Sequence, residues 1–149
     1  MEAKDVMTPN PICCGADTSL REVAQLMADH DCGAIPVVDG ATTRGPIGII
    51  TDRDIACRAV AVGNNPLELS AGDCMSSPCI AVSVETSLEE CCEAMETSKV
   101  RRLLVLDKSG ACIGIISQAD VALRGQDEKA TELLKEVSQP TLSASAVPV

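Results

Sequence analysis

Apolar positions along the chain alternate between two periods. Leu20, Val23, Ala24, Met27 and Ala28 recur at the three- and four-residue spacing of one helix face. Ser19 with Glu22 three residues later is a capping-box start for that helix, which ends near His30. Residues 12–14 read as a short extended stretch before it. Residues 34–38 and 46–50 are continuous apolar runs around a glycine-containing turn, the pattern of a hairpin of buried strands. Thr51 then opens a second helix over 52–62, with Ile55, Ala56, Cys57, Ala59 and Val60 as its apolar members.

The second half is written in the same order. Asp5, Val6 and Met7 recur as Asp73, Cys74 and Met75, Thr18 to Glu22 as Thr86 to Glu90, Met27 as Met95, and the run 34–39 as 102–107, all at one offset. The offset then shortens by two, so that Ile47 to Asp54 fall on Ile113 to Asp120; the turn over 41–46 is two residues longer than its counterpart. Elements are therefore expected again at 80–82, 87–98, 102–107, 113–116 and 118–124. The expectation is an α/β protein of two β-α-β-β-α copies, 1–63 and 64–125, followed by 126–149. In that last stretch Ala130, Leu133, Leu134 and Val137 mark a short amphipathic helix before a Ser/Ala/Pro tail.

Composition narrows the partners. Twelve Lys and Arg against 22 Asp and Glu leave the 149-residue chain at a net charge of -10, which repels nucleic acid and anionic membrane. There is no Phe, Tyr or Trp on which a base could stack. No apolar run approaches the roughly 20 residues of a membrane span. Met1 to Met7 carry charges and no apolar leader, so a cytoplasmic location is expected. Nine cysteines are an odd number without a Cys-x-x-Cys pair, and His30 is the single histidine, so no metal site is expected. Seven of the cysteines (13, 14, 32, 57, 74, 91 and 92) stand opposite an apolar residue of the other copy, and Cys79 and Cys112 stand opposite Pro11 and Pro46. Core filling is the expected role, with oxidation of the adjacent pairs 13/14 and 91/92 the alternative.

The element Gly-x-x-Thr/Ser-x-x-Asp ends a strand and opens a helix in both copies, at Gly48, Thr51 and Asp54 and at Gly114, Ser117 and Asp120. The glycines admit a ligand or a neighbouring backbone, and the hydroxyls sit at helix N-caps. Each carboxylate lies one turn in, suited to accept from both hydroxyls of a ribose. Ser/Thr-x-x-Asp is equally a capping box, as Ser19 with Glu22 and Ser87 with Glu90 are, and the two readings can coexist. These motifs in this order, with the segment His30 to Asp39, resemble a tandem CBS (cystathionine beta-synthase) domain pair, or Bateman module, over residues 3–125, and within that family its small stand-alone prokaryotic members.

The resemblance implies two repeats related by a pseudo-twofold axis, commonly assembled as a homodimer. It also implies adenosyl-ligand binding, with the carboxylate on the ribose and the adenine against strands of the other copy. Carried over, one cleft would combine Ser117 and Asp120 with Thr8, Ile12, Gly33 and Ile35. The other would combine Thr51 and Asp54 with Ser76, Ile80, Arg101 and Leu103. Arg101 or Arg102 would serve phosphate, whereas the first copy has Gly33 and Ala34 there. Arg53 and Arg58 read as exposed helix charges, and His30 as a partner of a helix C-terminus. No nucleophile-base pair, catalytic carboxylate pair or phosphate loop is present, so an enzyme is not expected. The leading expectation is a regulatory sensor of AMP, ADP, ATP or a related adenosyl ligand, with no obligatory cofactor and a protein partner the sequence does not name. The alternative is a ligandless dimerisation scaffold modulated through its cysteines.

Overall fold

The computed structural model describes residues 1–77 and 79–124. The expected helix and tail within 126–149 lie outside the described residues. In chain order the elements are α1 (Ala3–Val6), β1 (Thr8–Pro9), α2 (Leu20–His30), β2 (Ala34–Val38), β3 (Pro46–Thr51) and α3 (Asp52–Ile55), which continues as a π-turn over Ala56–Val60. A 3-10 turn (Pro66–Glu68), α4 (Ala71–Cys74), β4 (Ala81–Ser83), α5 (Leu88–Ser98), β5 (Arg102–Leu106), β6 (Cys112–Ser117) and α6 (Gln118–Arg124) follow.

The chain forms two compact units. One gathers residues 10–79 and 106–113 around Leu20, Val23, Met27, Ile35, Val37 and Ile50. Within it α2 starts where the Ser19 hydroxyl accepts from the Glu22 N–H at 3.1 Å, and it stops at Asp31, whose φ of 49° is left-handed. Strands β2 and β3 pair antiparallel with Ile35 opposite Ile50, so both side chains enter the same core. The stretch expected at 12–14 is reduced to one parallel bridge, Cys14 to Val37.

The other unit takes residues 1–9, 80–105 and the described chain from 114 onward. Its core is Val6, Leu88, Cys91, Cys92, Met95, Leu103, Val105, Ile116 and Val121. A four-stranded sheet runs in the order β1-β6-β5-β4. Ser87 and Glu90 cap α5 reciprocally, at 3.1 Å from the Glu90 N–H to the hydroxyl and 3.0 Å from the Ser87 N–H to the carboxylate.

The leading segment of each copy docks on the body of the other. Ala3 N–H donates to Thr86 O and Lys4 N–H to Val84 O; Ala71 N–H donates to Thr18 O and Gly72 N–H to Ala16 O, at the matching positions. Each segment opens with a single-turn helix, α1 or α4. Four residues are too few to sustain themselves, but carboxylate caps hold both turns: Asp5 accepts from the Glu2 N–H at 2.8 Å and Asp73 from the Ser70 N–H at 2.9 Å. Each turn buries a small apolar pair, Ala3 with Val6 and Ala71 with Cys74.

Candidate functional site

The two strand-to-helix junctions are built alike. At the end of β3 the Thr51 N–H donates to Asp54 Oδ2 at 3.0 Å while the Thr51 hydroxyl accepts from the Asp54 N–H at 3.1 Å. At the end of β6 the Ser117 N–H and hydroxyl both donate to Asp120 Oδ2, at 2.8 and 2.9 Å, and the hydroxyl accepts from the Asp120 N–H at 3.2 Å. Both are therefore complete capping boxes. The box engages one carboxylate oxygen and leaves Oδ1 pointing elsewhere. Asp54 Oδ1 lies 3.8 Å from Arg58 Nε, and Asp120 Oδ1 has no hydrogen-bond partner among the described residues. Both carboxylates are half-buried, which strengthens any hydrogen bond they accept.

The motif glycines are used by the protein itself. A Cβ on Gly48 would lie 2.7 Å from Met75 Sδ and 2.8 Å from the Ser76 carbonyl oxygen, and one on Gly114 would overlap the Met7 side chain. Met7 and Met75 are equivalent in the two copies, so each junction is covered by a methionine from a docked leading segment. Ser76 bridges Ile49 through reciprocal backbone bonds of 3.1 and 2.8 Å, and Thr8 pairs with Ile115 in β1–β6.

Gly33 and Arg101 also occupy equivalent places. The Gly33 carbonyl accepts from the Asp52 N–H at 3.0 Å and the Arg101 carbonyl from the Gln118 N–H at 2.9 Å. Gly33 has Asp52 close over its missing side chain, 3.1 Å from a Cβ position. Arg101 is exposed and Arg102 half-buried, so the two junctions differ in charge. Ile12 and Ile80 are half-buried, whereas Ile35 and Leu103 are wholly buried, their side chains committed to the two cores. Each grouping carried over from the resemblance draws residues from both units: Thr51, Asp54 and Ser76 belong with Ile12, Gly33 and Ile35 in one, and Thr8, Ser117 and Asp120 with Ile80, Arg101, Arg102 and Leu103 in the other.

Arg58 is exposed, as expected of a helix charge, and it also makes contacts the sequence reading did not name. Its Nη1 donates to Met75 O at 2.9 Å and reaches Cys74 O at 3.5 Å, satisfying carbonyls at the end of α4. The equivalent Arg124 donates to Val6 O at 3.2 Å at the end of α1. The signal was present in the repeat, which places arginine at both positions. Gln118, next to the second junction, keeps a buried Oε1 without a partner among the described residues. His30 sits exposed in the last turn of α2. Among the described residues no group of His, Cys, Asp and Glu is clustered to hold a metal, and no helix is long and apolar enough to cross a membrane.

A helix-capping hydroxyl and a carboxylate one turn in thus recur at the end of a strand in both copies. The CBS domain model matches residues 3–59 and 71–125, and the chain belongs to this family. Among its relatives is hypoxic response protein 1 of Mycobacterium tuberculosis, 32% identical over 143 residues that cover 96% of this chain and 98% of that protein. The CBS domain-containing protein YhcV of Bacillus subtilis is 31% identical over 140 residues, covering 93% and 96%. Of solved structures, hypoxic response protein I with two coordinated zinc ions superposes with a TM-score of 0.73 at 32% identity, over 83% of this chain and 98% of that one. CBSX2 in complex with AMP gives 0.69 at 26%, over 83% and 95%. The fold is also that of the CBS pair of MJ0100, solved with 5′-methylthioadenosine and S-adenosyl-L-methionine, at 0.73 and 23% identity over 83% and 98%.

Proposed function

We propose that the protein is a non-catalytic regulatory module that binds an adenine nucleotide or related adenosyl compound, gripping the ribose diol through Asp54 or Asp120. The observation that carries this reading is the divided use of each carboxylate, with one oxygen spent on the helix cap and the other directed away from it. A carboxylate has about four lone-pair sites, so capping and ribose binding do not compete. Near Asp120, Gln118 Oε1, without a partner among the described residues, offers an acceptor whose satisfaction by a ligand hydroxyl or amine is worth about 1–3 kcal/mol. Exposed Arg101 and half-buried Arg102 supply cationic charge for a phosphate on the same unit, where the other copy has Gly33 and Ala34. That a relative of this fold is solved with AMP agrees with the reading.

The module acts as a homodimer in this reading. Ala24, Ala28 and Leu67 are exposed beside a shallow apolar recess of about 350 Å³ floored by Leu20 and Ile55, a surface that a second copy would cover. Sedimentation should give a dimer mass, and Leu67→Glu should shift it toward monomer.

The test of ligand binding is a thermal-shift panel of AMP, ADP, ATP, S-adenosylmethionine and NAD. A ligand at 100 times its Kd adds about 2.7 kcal/mol, a rise of roughly 5–10 °C for a chain of this size. Asp54→Ala with Asp120→Ala should lower the unliganded melt by the cap cost, about 1 kcal/mol each, and abolish the ligand-induced rise. No rise with any compound in the wild-type protein would leave a dimerisation scaffold as the reading.

A further inference from the structure

We propose that Cys13 is a peroxide-oxidation site, with Cys112 as the resolving thiol and Arg44 holding the reactive sulfur. Three parts of one compact unit converge there. Cys13 lies in the segment before α2, Arg44 in the β2–β3 turn, and Cys112 at the start of β6. The Arg44 guanidinium donates from Nη2 to Cys13 Sγ at 3.2 Å and to Pro11 O at 3.2 Å. Cys112 is held beside the same residues through its backbone, which bonds the Arg44 carbonyl. Arg44 itself is fixed by its backbone: its N–H donates to Gly40 O at 3.1 Å, its carbonyl accepts from the Cys112 N–H at 2.9 Å, and its φ is left-handed at 50°. Cys13, Arg44, Asn10, Ile12 and Asp39 line an open cavity of about 860 Å³, which admits a small hydroperoxide to the sulfur.

The donors have the expected effect on acidity. The hydrogen bond from Cys112, followed by the hydrogen bond and charge of Arg44, brings the Cys13 thiol down to about 6 against the opposing effect of burial. The adjacent Cys14 goes the other way, pushed up to about 11 by burial and by the neighbouring Cys13 charge. Of the vicinal pair, one sulfur is a nucleophile at neutral pH and the other a core filler.

This cluster has no counterpart in the second copy. Ala81 stands opposite Cys13 and Pro46 opposite Cys112, and the turn that carries Arg44 is the one that is two residues longer. The departure from internal symmetry thus falls on a single constellation.

The chemistry balances with a hydroperoxide as the oxidant. The Cys13 thiolate attacks the terminal peroxide oxygen, an S–O bond forms, the O–O bond breaks, and the leaving oxygen takes up a proton as alcohol or water. The Cys112 sulfur then attacks the sulfenic sulfur as its proton leaves with the hydroxyl as water. The net change joins two thiols in one disulfide and reduces one peroxide. Forming the bridge requires the two sulfurs to come to the bonded separation of about 2.05 Å.

The test exposes the full chain to hydrogen peroxide and, in a parallel arm, to cumene hydroperoxide, followed by peptide mapping. The expected product is an intramolecular Cys13–Cys112 disulfide, with exposed Cys57 the in-molecule reference for access alone. Faster reaction of one oxidant identifies which peroxide class the cavity admits. Cys112→Ser should stop at a sulfenic acid on Cys13 that dimedone traps. Iodoacetamide labelling of Cys13 in the untreated wild type should rise with a midpoint near pH 6, and Arg44→Gln should move that midpoint upward. A labelling midpoint at the ordinary thiol value, oxidation that reaches Cys57 before Cys13, or a mapped bridge other than Cys13–Cys112 would overturn the proposal. The wild-type mapping needs no variant to fold.

Discussion

Gly48→Ala is the substitution whose outcome the geometry specifies most fully. The new methyl carbon would lie 2.7 Å from Met75 Sδ and 2.8 Å from Ser76 O. The thioether can swing aside, but the carbonyl cannot, because Ile49 and Ser76 exchange two backbone hydrogen bonds at that point. Either the bridge opens or β3 shifts, and such overpacking costs about 1–3 kcal/mol. Removing a glycine from a strand returns about 0.5–1 kcal/mol, so the mid-range values leave a net loss of about 1.25 kcal/mol, or a melting temperature lower by roughly 2.5–5 °C. The comparison is Gly45→Ala, where nothing lies within 4 Å of the new carbon and the backbone is not left-handed; that variant should melt at or slightly above the wild type. In Gly114→Ala the nearest neighbours of the new carbon are Met7 side-chain atoms, which can move, so that variant should fall between the two. The assay is far-UV circular dichroism melting of the three variants in one buffer. If Gly48→Ala melts with Gly45→Ala, the claim that the leading segment seals the β3–α3 junction is wrong.

Two further outcomes follow from the same contacts. Burial raises the Cys14 and Cys91 thiols to about 11 from an ordinary 9.0; below 9 both states keep their protons, and above it the unfolded chain releases them first. Stability should therefore decline as pH rises from 9 toward 11, and Cys91→Ala should flatten part of that decline in urea titrations; equal slopes would count against burial as its cause. Arg58→Met should lower the melt by roughly 2–4 °C, for about 1 kcal/mol of charge-assisted hydrogen bonding discounted for an exposed side chain. Arg53→Met should leave the melt unchanged, because the Arg53 side chain has no hydrogen-bond partner among the described residues; equal losses would deny Arg58 its tethering role.

Periodicity and duplication made most of the fold legible. The stripe from Leu20 to Met27 and the Ser19 and Ser87 caps mark α2 and α5 within a residue of their ends. Where periodicity has nothing to act on, it misleads. Helices α1 and α4 are one turn long and went unread, although their acidic caps, Asp5 and Asp73, stand at positions the repeat shows as equivalent. Ala24 and Ala28 share the apolar spacing but are exposed, because a stripe reports hydrophobicity and not which neighbour covers it. The continuous helix expected over 52–62 changes to a π-turn after Ile55, and of its apolar members only Ala59 is buried. Cysteine equivalence foretold burial for Cys14, Cys74, Cys91 and Cys92, but not the exposure of Cys57; Cys112, which stands opposite Pro46, is buried as well. The capping boxes at Thr51 and Ser117 were readable from spacing. The meeting of Cys13, Arg44 and Cys112 was not, because three segments distant in sequence create it.

The central claim, a ribose diol held by Asp54 or Asp120, is tested most directly by isothermal titration. AMP, ATP and S-adenosylmethionine are titrated in turn, and the tightest is set against its 2′,3′-dideoxy counterpart. Loss of the hydroxyl contacts to a charged acceptor costs about 1.5–3 kcal/mol, so the dideoxy compound should bind roughly 10- to 150-fold more weakly. Equal affinity for the two, or no binding of any of the three, would contradict the account.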